Sequence, residues 1–263
     1  SELIKENADL VLAPMMQGAV NYMHTGNRQA TTNDRGFMVW NLGMDLQGND
    51  MVLTKLTNWF ADEYMFESIR AQTNAYTADR WYCYYKIVYQ SNQILDLIPD
   101  DVTGKALVYK AQALTYRALA YYYLMCVYQD DYMHGGKDKA GVPLYLTVEG
   151  AKGRTPSTEV YSTITTDLQN AIALFNQAWG QACPGKNLSY NGTGSGAGRQ
   201  QFIAKQVDFA GSDSALAKEQ IEKAAERCGG NPAWNLPLVF GPVALAYHIE
   251  GVSKLVVNAD VLA

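Results

Sequence analysis

The residues with the clearest chemical potential lie in a glycine-rich stretch, SYNGTGSGAGRQQFIAKQVDFAGSD, at positions 189–213. Gly194 and Gly196 allow the backbone to approach a ligand closely. The short helix predicted after them directs its free N–H groups back at the loop, where Ser195 adds a hydroxyl donor. The segment VDFAGSD predicts a short strand that ends in a turn and leaves Asp213 at its carboxyl end. This pattern predicts an oxyanion site.

Two other interpretations of this stretch are weaker. Gly192, Gly194 and Ala197 match the loose dinucleotide pattern G-x-G-x-x-G/A, but the helix that follows is too short for a Rossmann unit. No G-x-x-x-x-G-K-[ST] sequence occurs, which excludes a Walker phosphate loop. A flexible linker would not be followed by regularly spaced apolar residues. Those residues are Phe202, Ile203, Val207 and Phe209.

A second set of candidates is aromatic. Trp40, Trp59, Phe60 and Tyr64 lie in VWNLGMDLQGNDMVLTKLTNWFADEY, where helical periodicity is weak and Asn and Asp side chains are close by. Aromatic faces flanked by such polar groups are candidates for stacking on sugars. The competing interpretation is ordinary packing. We expect packing for most of the 18 tyrosines, since an apolar ring with a polar tip suits half-buried positions.

Cysteine and histidine spacing gives no metal or nucleophile motif. Cys83 and Cys126 lie in helical stripes and are expected to be buried. Cys183 and Cys228 flank the glycine-rich segment, and an exported protein would permit a disulfide between them. No C-x-x-C, H-E-x-x-H or G-x-S-x-G sequence is present. We therefore predict a chain that is not an enzyme, with no catalytic residues, no metal and no cofactor.

Three amphipathic helices are predicted to support these sites, over 78–98, over 105–128 and from a Ser157 or Thr158 cap onward. Small residues in the second helix favour close packing on the first as an antiparallel hairpin, as in tetratricopeptide-like repeats. The predicted core faces are Trp81, Tyr85, Val88, Leu95 and Ile98; Leu107, Ala111, Leu114, Ala118, Tyr121 and Met125; and Val160, Ile164, Leu168, Ile172 and Phe175.

Composition divides the chain into two segments that meet near 176–180. The 263 residues are 48% hydrophobic with a net charge of −5, which argues against disorder and against nucleic-acid binding. That charge and 16 of the 18 tyrosines belong to 1–178, whereas 179–263 is neutral and holds half of the 22 glycines. No apolar run approaches the length of a membrane span, and the first residues do not resemble a secretory signal.

The first segment resembles the amino-terminal half of SusD/RagB-type proteins. The resemblance covers about 1–176 and rests on pieces that occur in order: Arg80-Trp81, Ala111–Tyr128, Gly141–Leu144, Gly153-Arg154 and Glu159–Phe175. It implies an outer-membrane-anchored lipoprotein that captures nutrients, commonly glycans, for a TonB-dependent (SusC-like) transporter. The lipidated amino-terminal Cys and the carboxy-terminal half of that family have no counterpart here.

The second segment resembles PstS-type phosphate-binding proteins over about 179–263. The glycine loop, DFAGSD and LPLVFGPVALAY occur in the order of that family. The resemblance implies that Ser195 donates to phosphate and that Asp213 accepts from it. A carboxylate beside an anion favours an anion that still carries a proton, hence hydrogenphosphate over sulfate. The family's other phosphate contacts have no counterpart, so about half of the phosphate shell is expected.

We therefore predict a mainly α, SusD-like segment at 1–178 followed by an α/β fragment of periplasmic-binding-protein type at 179–263, as a chimera of two partial families. The predicted function is exported, non-enzymatic nutrient binding, with a glycan or other small nutrient, phosphate and a transporter as partners. Two alternatives are a helical-repeat scaffold that docks on a transporter and a phosphate-binding protein of an ABC uptake system.

Overall fold

The computed structural model describes residues 2–25, 36–48, 51–53, 60–186, 188–189 and 192–236. The chain forms two compact units, Ser1–Leu188 and Ser189–Ala263. The helices of the first unit are α1 (Glu2–Glu6), α2 (Ala8–Thr25), α3 (Phe37–Gln47), α4 (Ala61–Met65), α5 (Ala75–Leu97), α6 (Lys105–Tyr128) and α7 (Ser157–Ala182). The helices of the second unit are α8 (Ser195–Ile203) and α9 (Lys218–Arg227). No described helix has the length and apolar character needed to cross a bilayer.

The core of the first unit is the predicted hairpin of α5 and α6. Trp81 contacts Tyr128 and Asn92 contacts Arg117, so the two helices run antiparallel. All six residues predicted for the core face of α6 are buried. Helix α5 begins three residues earlier than predicted. Its cap is Asn74, whose side chain accepts hydrogen bonds from the N–H groups of Tyr76 and Thr77.

A buried polar network joins the hairpin to α7 and to the loop that follows α6. The Arg117 guanidinium makes a two-pronged ion pair with Asp167 and also donates to the Asn92 side chain at 2.8 Å and to the Leu146 carbonyl at 3.1 Å. The Asn92 amide in turn donates to the carbonyl of Tyr145. Because every strong donor of this cluster meets an acceptor, the network positions three helices at once.

The core face of α7 differs from the prediction. Val160 and Ile164 are buried, but Leu168 is 41% and Ile172 is 60% exposed, because Asp167 and Ala171 face the hairpin in their place. Pro156 precedes the helix, so neither Ser157 nor Thr158 caps it. Helix α7 continues through the predicted seam at 176–180 to Ala182, and the boundary between the compact units falls after Leu188.

Tyrosines serve mainly as packing residues, as predicted. Tyr84 and Tyr121 are buried, and the Tyr121 hydroxyl donates to the Tyr145 carbonyl at 3.0 Å. Of the three consecutive tyrosines on α6, only Tyr122 is strongly exposed. The prediction that Cys126 is buried is wrong, because this residue lies one turn after Tyr122 on the outer face of α6. Cys83 is buried as predicted.

The regular elements in the described part of the second unit are the helices α8 and α9, joined by turns and irregular backbone. No strand forms in the described part of this unit, so the strand predicted within VDFAGSD is absent there, and so is the α/β fold. A strand needs a neighbour for its N–H and C=O groups, and this part of the chain offers none. Instead Arg227 of α9 donates to the Val207 carbonyl at 2.7 Å and lies 4.0 Å from the centre of the Phe202 ring.

Candidate functional site

The first candidate site is a corner formed by the short helix α4 in the helical unit. The α4 corner consists of the aromatic residues Phe60, Tyr64 and Phe66. Phe60 and Tyr64 are half-buried, whereas the Phe66 side chain is 45% exposed. The ring of Phe66 therefore offers an aromatic surface to solvent at the C-terminal end of α4.

Phe66 holds an unusual backbone conformation. Its φ of 53° and ψ of 37° lie in the left-handed region, which residues with a Cβ avoid at a cost of about 1 to 2 kcal/mol. The strained turn ends α4, and the Phe66 N–H bonds back to the carbonyl of Glu63 at 3.3 Å. Strain at an exposed aromatic residue points to function, since the residue gains little free energy from burial to offset the strain.

Buried charges hold the α4 corner rigidly on the hairpin. Glu63 is fully buried and forms an ion pair with Arg80 of α5. Burial raises the pKa of the Glu63 carboxyl, while the Arg80 charge opposes that rise. A second, partly buried hydrogen bond joins α4 to the cap of α5, where the Asn74 amide donates to Asp62 at 3.1 Å. Short helices do not persist alone, so these ties position the corner.

The predicted stacking residues divide among three environments. Trp40 is a core residue, 3% exposed, with its ring centre 5.2 Å from that of Tyr84, so packing occupies both faces of the indole. Phe60 and Tyr64 lie at the α4 corner. Trp59 lies outside the described residues and stays a prediction. Phe66 was not among the predicted residues, because no sequence pattern indicates that a phenylalanine adopts the left-handed conformation.

The second candidate site is the glycine loop at the start of α8, in the second unit. Gly194 precedes the helix with a φ of 82°, which favours glycine, and a Cβ on Gly196 would meet open space. The backbone N–H of Asp213 donates to the Ser195 hydroxyl oxygen at 2.9 Å. Two predicted phosphate residues that are 18 positions apart are therefore brought together.

This contact leaves hydrogen-bond donors of the glycine loop available to an anion. Because the Ser195 oxygen accepts from Asp213, the Ser195 hydroxyl proton stays available to a ligand. The first N–H groups of α8 add donors and a positive helix end. Arg199 donates to the Ser214 hydroxyl and to the Ala215 carbonyl, which fixes the turn that carries Asp213. The loop is exposed, so water competes for these donors.

The cysteines give no metal site. Cys83 and Cys126 are free thiols, and the described residues contain no group of three or more His, Cys, Asp or Glu side chains able to hold a metal ion. Cys183 belongs to the first unit and Cys228 to the second, so a disulfide between them stays a prediction.

Comparison with known proteins assigns the helical unit. Residues 7–187 match the SusD-like family described as starch-binding associating with outer membrane. The chain belongs to the SusD-like family. A SusD-like carbohydrate binding protein from Bacteroides vulgatus superposes with a TM-score of 0.54 at 20% identity, covering 83% of this chain and 43% of that one. A second Bacteroides vulgatus structure gives a TM-score of 0.53 at 23% identity. These two likenesses show a common fold.

The rest of this SusD-like chain is similar to a different class of binding protein. Residues 150–261 match a family described as a PBP superfamily domain. Over 99 residues the chain is 50% identical to the phosphate-binding protein PstS2 of Mycobacterium bovis, which is 37% of this chain and 26% of that protein. PstS3 of the same organism is 46% identical over 99 residues. The chain thus spans about a quarter of the length of these relatives.

The two family matches overlap over 150–187, a stretch that contains α7. The packing of α7 places it in the helical unit, since Asp167 is bound to Arg117 of α6. Both resemblances inferred from the sequence are confirmed, and both matched families are binding proteins.

Proposed function

We propose that this SusD-like chain captures a carbohydrate nutrient at the α4 corner and delivers it to a TonB-dependent, SusC-like transporter. The observation that carries the proposal is Phe66, an exposed aromatic ring held in a strained conformation on a helix that buried charges fix in place. Aromatic rings that do not fill a core bind the apolar faces of other rings, including sugars. The residues act by binding alone, so no catalytic step is assigned.

Family membership indicates an exported protein, and we place it on the outer-membrane surface or in the periplasm as a lipid-anchored protein. Delivery needs a partner in the same membrane, and the transporter supplies it.

The test is calorimetry of the full chain against neutral oligosaccharides, including maltoheptaose, followed by Phe66→Ala and Tyr64→Ala. We expect each substitution to weaken binding about tenfold, the upper end of the energy of an aromatic stacking contact. Tyr122→Ala is the control, because Tyr122 is an aromatic residue of similar exposure on the outer face of α6. Trp59→Ala tests the remaining predicted residue. Capture of the transporter without sugar binding would favour the scaffold function instead.

A second candidate function is phosphate binding at the glycine loop. The observation that favours it is the 2.9 Å hydrogen bond from the Asp213 N–H to the Ser195 hydroxyl, which brings the predicted donor residue beside the turn that carries the predicted acceptor residue. Since only part of a phosphate shell is present, we expect a dissociation constant on the order of millimolar, about 4 kcal/mol of binding free energy.

A further inference from the structure

An open cleft of about 610 Å³ lies in the helical unit. One of its lining residues, Arg70, follows the α4 corner closely in the sequence. Its walls are formed by the end of α6, by residues of the loop that follows α6, including Arg154, and by Arg70. Its charged members are Arg70, Lys139, Arg154 and Asp130, so cations outnumber carboxylates by three to one. Arg154 belongs to the Gly153-Arg154 piece of the SusD/RagB resemblance, but no sequence pattern places Arg70 and Lys139 beside it, because the three residues lie far apart in the chain.

The three cationic side chains of the cleft differ in their hydrogen-bond and ion-pair partners. Lys139 is paired with Asp130 at 2.5 Å. Arg154 donates to the Gly141 carbonyl through Nε and to the Gln129 side chain through Nη2 at 2.8 Å. Arg70, in contrast, has no hydrogen-bond or ion-pair partner in the described part of the chain. A guanidinium has five donors in a fixed fork that matches a carboxylate or a sulfate group.

Hydrogen bonds hold Arg70 at the edge of this cleft. Arg70 ends a short 3-10 helix, Ser68–Arg70. The Thr77 hydroxyl donates to the Ile69 carbonyl, and the Tyr128 hydroxyl donates to the Thr77 carbonyl, each at 2.5 Å. Tyr128 itself lines the cleft. The position of Arg70 is therefore set by α5 and α6 together.

The cleft is also close to the exposed aromatic ring. Phe66 and Arg70 are four residues apart, so their Cα atoms are separated by at most roughly 15 Å. A glycan of a few sugar units that stacks on Phe66 is long enough to reach Arg70. An open polar cleft of this kind suits a hydrated charged group and offers little to an apolar ligand.

We propose that the cleft of Arg70, Lys139 and Arg154 binds the anionic substituent, a carboxylate or a sulfate, of an acidic glycan. This inference rests on the proposed function and names its substrate class. Arg70 receives the anion directly, and Lys139 and Arg154 supply positive charge behind it. Selection follows from charge, because a neutral sugar leaves the Arg70 fork with water only.

The experiment compares matched oligosaccharides by calorimetry with the full chain at low salt. The probes are a galacturonic acid oligosaccharide, a chondroitin sulfate tetrasaccharide, a galactose oligosaccharide of similar length and inorganic sulfate. We expect at least one acidic glycan to bind ten times more tightly than the neutral one. Arg70→Ala and Lys139→Ala should remove that preference, and Lys186→Ala, which removes an exposed charge outside the cleft, should keep it.

The outcomes separate the two proposals. Equal binding of acidic and neutral glycans, or a preference that survives Arg70→Ala, overturns the acidic-glycan inference and leaves the proposed function standing. Binding of inorganic sulfate as tight as that of the acidic glycan also overturns the inference, since the sugar then contributes nothing. Failure of every glycan to bind overturns both proposals. Arg70 is exposed and unpartnered, so its substitution should not disturb folding.

Discussion

Arg117 of α6 and Asp167 of α7 form a buried, two-pronged ion pair in which both N···O distances are 2.7 Å. The pair joins the hairpin to the third long helix of the SusD-like unit. Neither side chain reaches solvent, and the remaining guanidinium nitrogen is bound by Asn92 and Leu146. These residues hold the scaffold and are not a binding site.

Asp167→Ala should strongly destabilise the helical unit, because it leaves the Arg117 charge buried without its partner. The expected loss is about 3 to 5 kcal/mol of the free energy of unfolding, measured by urea denaturation with circular dichroism. Arg117→Met combined with Asp167→Ala should lose less than the sum of the two single changes. Asp100→Ala, which breaks the exposed pair with Lys110, should have no measurable effect. Additive losses would contradict the coupling.

Gly43 provides a test of the support beneath the α4 corner. A Cβ there would lie 2.4 Å from Glu63 Oε2 and 2.6 Å from Arg80 Nη2, so Gly43→Ala should displace the buried ion pair. We expect a loss of about 1 to 3 kcal/mol in thermal unfolding experiments, as for other overpacked cores.

The control for this variant is Gly180→Ala, because Gly180 lies in α7 with open space around it. Alanine should stabilise that helix by about 0.5 to 1 kcal/mol. A stable Gly43→Ala protein would show that the two charged side chains do not lie against α3.

Cys83 should resist alkylation in the folded protein. Burial raises the pKa of its thiol to about 12, and the thiolate is the reactive form. At pH 8 about one thiol in ten thousand is then ionised, and the thiol is enclosed as well. Because the pKa is raised, the thiolate stays a minor form below about pH 12, and the main increase in reactivity should come from unfolding.

Mass spectrometry after iodoacetamide treatment checks this expectation. The exposed Cys126 should be labelled in the native protein and Cys83 only in denaturant. Native labelling of Cys83 would contradict the packing of α5. The same experiment without reductant tests the predicted disulfide, since bonded Cys183 and Cys228 would both escape labelling.

Asp213→Asn should change anion selectivity more than affinity. An amide can donate to an unprotonated oxyanion, whereas the native carboxylate favours an anion that carries a proton. Calorimetry at neutral pH should show weak phosphate binding in both proteins and a smaller preference over sulfate in the variant. Asp208→Asn, an exposed carboxylate of the same unit, is the control. Submicromolar phosphate binding would contradict the incomplete shell.

The sequence predicted the elements whose signals are local. Helix α6 has the predicted bounds, and all six of its predicted core residues are buried. The Ser195–Asp213 contact joins two residues that the phosphate-binding resemblance had already paired. The core face of α7 was harder to predict from the sequence. Asp167 faces the core only because Arg117, fifty residues away, neutralises it, and an apolar-periodicity argument assigns the neighbouring Leu168 to the core instead.

Features that depend on three-dimensional context could not be predicted. The left-handed turn at Phe66 comes three residues after Glu63, which is anchored on Arg80, and phenylalanine by itself disfavours such a turn. The basic cleft gathers Arg70, Lys139 and Arg154 from three separate segments. The strand predicted within VDFAGSD depended on neighbours that the described part of the second unit lacks.

The most direct test of glycan capture at the α4 corner is Phe66→Gly, measured for stability and for oligosaccharide binding in the same preparation. Glycine relieves the left-handed conformation, so the free energy of unfolding should rise by about 1 kcal/mol. The same change removes the ring, so binding of the neutral or acidic oligosaccharide that the native chain prefers should fall about tenfold. A more stable protein with lost binding is the predicted result, and undiminished binding by Phe66→Gly would contradict the account.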